Sequence, residues 1–540
     1  MKKLILVPTL LSVLTGCSTQ NPFREAASIK ENNDPIFEDV TATSDVASES
    51  TPSIVIGDFD KDGRVDFIAK DRLYKNISTR DSIRFEDVTQ EMNLHFLKGQ
   101  PLFMDVNNDG NLDIVTSKGQ VHLLKDNQYH EVGQRYGLKL PDDVFTISFG
   151  DLNRDGFPDI LVGRQEKSEN NQFNFVPPKV FLNQNGKSFL EVSNKHEMNN
   201  YPAYVRGIAW ADFDNNSSPD IYYSNYRLRQ NFLFQLNRGK MVDVAKKLNV
   251  QGEYDTKRYY DSYHKKNFGP LYGHTIGSVW ADLNNDGNLD LWVSNLVHKF
   301  VGMSPKGSYD YRGYVCDDSK VYKNTGAPHY NFVDVRKNSG LPVKPIGDFS
   351  KYKGDELWSH STAADFDNDG LLDMYVSQVY NFNYAHSLLF RNKGNFQFEN
   401  VSKSGPMVLD SYAGAWADFN NDGKMDLIVS GREGVGIPAR LRIFKNVDAS
   451  NNRYLKIRLT GKKSGTIPVT TQVRVYHAKG LVMRQVEGTT GTFNQQNDPV
   501  LHFGLGKISK VSKIVINWSS GQTQVITNPK ISSTLNIVEP

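Results

Sequence analysis

The chain has 540 residues, with 63 Lys and Arg against 61 Asp and Glu, giving a formal charge of +2. No nucleic-acid-binding motif is present, and nucleic acid is not an expected partner at an outer surface. Two cysteines are too few for a disulfide framework, so stability must come from elsewhere.

In chain order, the first element is an export signal. Met1-Lys2-Lys3 precedes a short apolar run, Leu4–Leu14, and a small-residue cleavage region. The run is too short to span a membrane. Its end, Leu14-Thr15-Gly16-Cys17, resembles the bacterial lipobox. The resemblance implies cleavage before Cys17, lipid on its sulfur and, with Ser18 next, delivery to the outer membrane. Residues 1–16 are thus the expected lipoprotein signal peptide and 17–35 a lipidated tether. Cys316 is then left without a disulfide partner, as a buried spectator within an insertion.

Seven Asp/Asn ladders follow, each with oxygen-bearing side chains at positions 1, 3, 5 and 9. They are Asp58, Asp60, Asp62, Asp66; Asp105, Asn107, Asp109, Asp113; Asp151, Asn153, Asp155, Asp159; and Asp212, Asp214, Asn216, Asp220. The last three are Asp282, Asn284, Asp286, Asp290; Asp365, Asp367, Asp369, Asp373; and Asp418, Asn420, Asp422, Asp426. Such sets suit a hard cation taking six to eight oxygens, and Gly at position 6 permits a tight wrap. Calcium is the expected cofactor, in up to seven structural sites. An EF-hand is excluded, because position 12 holds Ala69, Thr116, Val162, Tyr223, Val293, Val376 or Val429 where that motif needs Glu. The fourth ladder, with Asn216 and with Ser217 in place of Gly, is expected to be weakest or distorted.

After each ladder comes a β-branched or aromatic run. Ladder starts lie 47, 46, 61, 70, 83 and 53 residues apart, and hairpins of the form L-x-x-N-x-G…F-x-[D/E]-V recur between them. The expected fold is all-β: a seven-bladed β-propeller over 36–448 with calcium-binding A–B loops. Its last blade would be completed by the N-terminal strand Ile36–Thr41 pairing with Leu441–Asn446.

The long insertions, at about 163–178, 250–275, 296–319, 340–360 and 378–386, all fall on the face opposite the ladders. They carry Tyr254, Tyr259, Tyr260, Tyr263, His264, Tyr272, His274, His298, Tyr309, Tyr311, Tyr314, Trp358, His360, Tyr380, Tyr384 and His386. Basic residues such as Lys257, Arg258, Lys265 and Lys266 accompany them. Loops of this kind on a rigid scaffold commonly carry function. Arg206, His274, His360 and Tyr412 precede their ladders by five to eight residues and are expected near the axial mouth on that side.

Residues 450–540 read as a small β-sandwich-like domain, with strands at Tyr454–Leu459, Gln472–Tyr476, Val482–Val486, Lys513–Trp518 and Thr523–Ile526. At this point the ladders resemble FG-GAP or VCBS repeats, the calcium-bearing blades also found in integrin α propellers. The tail, with Leu501–Gly506 (L-H-F-G-L-G) and Asn517–Gly521 (N-W-S-S-G), is similar to the ASPIC/UnbV domain. Their combination is typical of the cartilage-acidic-protein-like family. Ser519 replaces the Pro usual after the Trp, and the family's Gly-Ala segment is absent near Ile467–Gln472.

No G-x-S-x-G, H-E-x-x-H or C-x-x-C motif is present. The expected function is therefore a surface-anchored, calcium-binding lipoprotein that takes a glycan or protein ligand on its insertion face. The alternative is an envelope enzyme acting on a carbohydrate or other small molecule, with Arg206, His274, His360 and Tyr412 at the axial mouth and Asp255, Asp261, Asp355 and Glu356 as further carboxylates.

Overall fold

The ninth residue of every ladder is also the first residue of a strand. The computed structural model describes residues 35–540 except 48, 96, 170–171, 254–259, 262–265, 268–271, 298–301, 304–308, 311–316, 343–355 and 383–384. Cys17 therefore lies outside the described residues, as do Tyr254, Asp255, Lys257, Arg258, Tyr259, Tyr263, His264, Lys265, His298, Tyr311, Tyr314, Cys316, Asp355 and Tyr384.

The protein is all-β, with mostly antiparallel sheets and very few helical turns, and its architecture is propeller-like. Seven inner strands each run into a ladder: Ile54–Gly57, Pro101–Met104, Val144–Gly150, Val205–Ala211, Thr275–Ala281, Glu356–Ala364 and Leu409–Ala417. A second strand leaves each ladder, from Asp66–Ala69 in the first unit to Asp426–Arg432 in the seventh. The recurring hairpin supplies the third and fourth strands, as in Lys179–Asn183 and Phe189–Glu191. In the seventh unit the fourth strand is Phe37–Asp39, which pairs antiparallel with Arg440–Asn446 through Phe37 opposite Asn446 and Asp39 opposite Phe444. Units five and six are also joined by Leu296 opposite Leu357.

Neighbouring units are tied by a repeated asparagine at the end of the third strand. Its side-chain amide donates to the carbonyl of the second ladder residue in the preceding unit: Asn183 to Val106 at 2.8 Å, Asn324 to Phe213 at 3.0 Å, Asn392 to Leu283 at 2.8 Å and Asn446 to Phe366 at 2.7 Å. Asn76 of the first unit makes the same bond to Phe419 of the seventh at 2.9 Å. The first and seventh units also share one apolar cluster, in which Ile54, Ile56 and Phe67 pack with Ala413, Ala415 and Phe419. Apolar burial of this kind contributes about 25 cal/mol per Å². Gly150, just before its ladder, admits the ring of Trp210 from the next unit; a Cβ there would lie 2.8 Å from the indole.

The C-terminal domain has two sheets around its own core of Leu455, Ile457, Val473, Val475, Phe503, Ile514, Ile516 and Trp518. One sheet is ordered Leu501–Gly506, Arg453–Thr460, Thr534–Val538, with the last pair parallel. The other is ordered Gly480–Gln485, Gln472–His477, Val511–Asn517, Thr523–Thr527. Strands at Leu501–Gly506 and Thr534–Val538 add to those read from sequence, and Trp518, buried in the core, follows directly on Val511–Asn517.

Candidate functional site

The seven ladders share one turn. In six of them the first Asp accepts two backbone N–H groups: Oδ1 of Asp105 takes the N–H of Asp109 at 3.1 Å and Oδ2 that of Gly110 at 2.7 Å. In the first ladder Asp58 takes only the N–H of Gly63, at 3.1 Å, and the N–H of Asp62 goes to Asp60 instead. The fourth residue is left-handed in every copy: Lys61, Asn108, Arg154, Asn215, Asn285, Asn368 and Asn421, at φ between 54° and 62°. Asn tolerates this conformation better than most side chains, and it fills five of the seven positions. The sequence reading overlooked this recurring signal.

Position 4 also links the ladders laterally. The Asn108 amide donates to the Gly156 carbonyl at 2.7 Å, Asn285 to Gly370 at 3.1 Å, Asn368 to Gly423 at 2.9 Å, and Asn421 of the seventh ladder to Gly63 of the first at 3.2 Å.

Position 9 proves to have a second task. Asp66 accepts the N–H of Phe59 at 3.1 Å and of Asn76 at 2.7 Å, and Asp373 accepts those of Phe366 and Asn392. This buried carboxylate therefore fastens the ladder to the third strand. Burial, with neighbouring acidic groups, pushes Asp66 and Asp113 up to about 8, and Asp373 and Asp426 well above the carboxylate range.

The donor sets fit a hard divalent cation. Carboxylate oxygens of Asp58, Asp60 and Asp62, of Asp212, Asp214 and Asp220, and of Asp365, Asp367 and Asp373 come within 4.8 Å of one another. Oδ1 of Asp58 and Oδ1 of Asp214 are buried with no hydrogen-bond partner, each an oxygen that a cation would satisfy. The expected distortion of the fourth ladder is not seen. Ser217 takes φ 62° and donates to Asp212 at 3.0 Å, so the turn keeps its form and the side chain bears the strain.

The ladder face is covered by the C-terminal domain, and its cations reach the ladders directly. Lys456 Nζ lies 2.8 Å from Asp418 Oδ2 and Arg458 lies 2.8 Å from Asp58 Oδ2. Arg474 donates to Asn215 at 2.8 Å and to the Gly287 carbonyl at 3.1 Å. Arg484 lies beside Asp365 in a cavity of about 90 Å³ that Glu487 and Asp498 also line.

From this domain the segment 487–498, Glu-Gly-Thr-Thr-Gly-Thr-Phe-Asn-Gln-Gln-Asn-Asp, passes along the inner strands of all seven units. Gln496 accepts from the Phe103 N–H at 3.1 Å, and its own N–H donates to the Ile54 carbonyl at 3.2 Å. Asn494 accepts from the Ile147 N–H at 2.7 Å, and Thr492 donates to the Arg206 carbonyl at 2.8 Å. The Gly491 N–H donates to the Ser278 carbonyl at 3.2 Å, Thr362 donates to Asn497 at 3.2 Å, and the Trp416 N–H donates to Asn497 at 3.4 Å. Gly491 is obligatory, because it has φ 67° and a Cβ there would lie 1.9 Å from Nδ1 of His360.

This axial segment changes the setting of the four mouth candidates. His360 is fully buried, with Nε2 2.8 Å from the Gly414 carbonyl, and burial lowers it to about 4. It packs against the segment and does not face an open mouth. Arg206 and Tyr412 instead gather around Phe493 at the segment's tip, and His274 lies against Tyr226 at 4.6 Å. Trp358 is core, stacked on Trp292 at 5.5 Å, and Glu356 forms a buried ion pair with Arg336. Both belong to the inner strand Glu356–Ala364, which is where the insertion before it ends. The side chains of Tyr260, Asp261 and Tyr309 are outside the described set.

Two family models match this chain: FG-GAP-like repeat at 105–162 and 365–429, and ASPIC and UnbV at 461–540. The chain thus carries FG-GAP-like repeats at 105–162 and 365–429 and an ASPIC and UnbV domain at 461–540. FG-GAP repeats are often calcium-binding, and together the two modules suggest an extracellular or surface protein. The chain is 26% identical over 345 residues to cartilage acidic protein 1 of Xenopus tropicalis, covering 62% of this chain and 45% of that one. It is 25% identical over 346 residues to the human protein of that name, covering 62% and 44%. The chain spans a little under half the length of the curated relatives it matches. Among solved structures, the Vibrio cholerae biofilm matrix protein Bap1 aligns at TM-score 0.34 and 11% identity, over 77% of this chain and 92% of that one.

Proposed function

We propose that this protein is a calcium-stabilised, closed seven-bladed propeller, lipid-anchored through Cys17 at the cell envelope, that binds an extracellular glycan or protein through its insertion-rich face. The C-terminal domain occupies the ladder face and sends residues 487–498 along the axis, and this observation carries the reading. With one face and the centre filled from within the chain, the opposite face is the surface open to a partner. The Asn76 and Asn421 bonds between the seventh and first units support closure. The carboxylate clusters and orphaned oxygens at Asp58 and Asp214 support calcium. The outer-membrane address rests on the lipobox alone.

The test is a glycan-array and pull-down screen with the full mature chain, in calcium and in chelator. Variants carrying Ala at insertion-face aromatics such as Tyr272 and Tyr380 should lose the captured ligand while binding calcium normally. Capture that survives those changes, or that maps to the C-terminal domain, overturns the assignment.

A further inference from the structure

Arg206 is held among aromatic rings and, among the described residues, meets no carboxylate. Its guanidinium carbon lies 4.4 Å from the centroid of Phe145, 4.9 Å from Tyr204, 4.4 Å from Tyr226 and 5.9 Å from Phe493. Phe145 and Phe493 are 4.5 Å apart, and Tyr412 completes the wall by meeting Phe493 edge-on at 5.4 Å. Tyr204 is buried, whereas Arg206, Phe145, Tyr226, Tyr412 and Phe493 keep part of their surface exposed. The group lies at the start of the inner strand Val205–Ala211, on the side away from the ladder.

A guanidinium carries five N–H donors, and ring faces satisfy its charge but accept no conventional hydrogen bond. Nε of Arg206 is buried with no partner, and among the described residues no carboxylate pairs with this side chain. The backbone around it is fixed from the axial segment. Thr492 donates to the Arg206 carbonyl, and Phe493 and Asn494 are held at φ 53° and 59°, a conformation that a bulky side chain adopts only under constraint. The C-terminal domain thus drives Phe493 through the axis to supply one wall of a cluster on the opposite side.

We propose that this cluster is a subsite for the carboxylate of an acidic sugar. The guanidinium fork would take the carboxylate, and the surrounding rings would take the apolar face of the pyranose. The inference rests on the insertion-face reading and narrows its ligand to a uronate-bearing glycan.

Isothermal titration of the full mature chain in calcium, with a tri-uronate, its carboxyl-reduced neutral counterpart and acetate, tests it. The tri-uronate should bind, with the neutral trimer and acetate at least about tenfold weaker. Arg206→Gln should lose about tenfold or more, and Arg206→Lys should recover only part of that because it keeps the charge without the fork. Phe493→Ala should weaken binding several-fold; a thermal melt checks each variant, and Arg206→Lys stands in if Arg206→Gln does not fold. No binding of the tri-uronate, equal binding by Arg206→Gln, or equal binding of acetate overturns the subsite. A neutral glycan or protein captured on the insertion face irrespective of Arg206 overturns it too, while leaving the broader function standing.

Discussion

Lys456 of the C-terminal domain sets its ammonium group 2.8 Å from Oδ2 of Asp418, the first residue of the seventh ladder, and 2.8 Å from Oδ1 of Asn421. Both members of the ion pair are buried. Burial raises the Asp418 carboxyl, and Lys456 pulls it back down. Removing one partner of such a pair costs about 3–5 kcal/mol, because the remaining charge has no solvent. Lys456→Met should therefore destabilise the protein by that order in chelator and by less in calcium, where a bound ion offsets Asp418. Urea unfolding in the two conditions measures the difference; equal losses would separate Lys456 from the metal.

Calcium removal should lower the melting temperature substantially. Extracellular calcium modules have Kd values of roughly 0.1–1 mM, and an ion at ten times its Kd adds about 1.4 kcal/mol per site. Asp58→Ala and Asp365→Ala, in the ladders with four carboxylates, should reduce calcium stoichiometry and narrow the gap between melts in calcium and chelator. An unchanged melt in chelator would remove calcium from the account of stability.

Ser217 occupies the turn position that Gly holds in the other six ladders, at φ 62°. Ser217→Gly relieves a left-handed side chain and should stabilise the protein by about 1 kcal/mol, less the greater entropy of an unfolded glycine. Chemical denaturation reads this, and calcium titration shows whether the fourth ladder tightens with it.

The sequence made the ladders, the strand after each ladder and the recurring hairpin legible, because cation ligation and tight turns demand particular residues at fixed spacing. Position 4 was overlooked because Lys61 and Arg154 interrupt its run of Asn. The dual use of Asp66 and Asp426 was hidden, since a ligand and a backbone acceptor are the same residue type. The axial segment was hardest to see. Thr489, Thr492, Asn494, Gln495 and Gln496 are all buried, yet they read as a polar loop, because they bond to inner-strand backbone groups hundreds of residues away. His360 and Trp358 looked like insertion-face residues for a related reason: nothing local marks where the long connection ends and the inner strand Glu356–Ala364 begins.

His360 gives the fold an acid-sensitive point. Its pKa falls from 6.5 to about 4 through burial, so the unfolded chain binds a proton across that interval and the folded chain does not. Its contribution to stability is present above pH 6.5 and is lost as the pH falls toward 4, by about 3 kcal/mol at most. His502, lowered to about 3, acts in the same direction. His360→Gln should show a shallower loss of stability between pH 6.5 and 4 than the unaltered chain, measured by urea unfolding at each pH.

Replacing residues 489–497 with a short glycine linker should leave the C-terminal core intact and loosen the seven units. Inner-strand amides such as Ile54 and Ile147, which now donate to Gln495 and Asn494, should exchange faster with solvent. Unchanged exchange at those amides would mean the segment fills the axis without bracing it.

The pairing of Phe37–Asp39 with Arg440–Asn446 imposes an order on assembly. The first strand made must wait about 400 residues for its neighbour, and the segment that touches every inner strand is made later still. An unfinished chain leaving the ribosome has an unpaired strand at Phe37–Asp39 and inner strands not yet met by residues 487–498. Pairing at this seam therefore comes late in synthesis: a truncation before residue 440 would leave Phe37–Asp39 without its neighbour, and one between 446 and 487 would keep that pair but leave the inner strands without the segment that bonds to them.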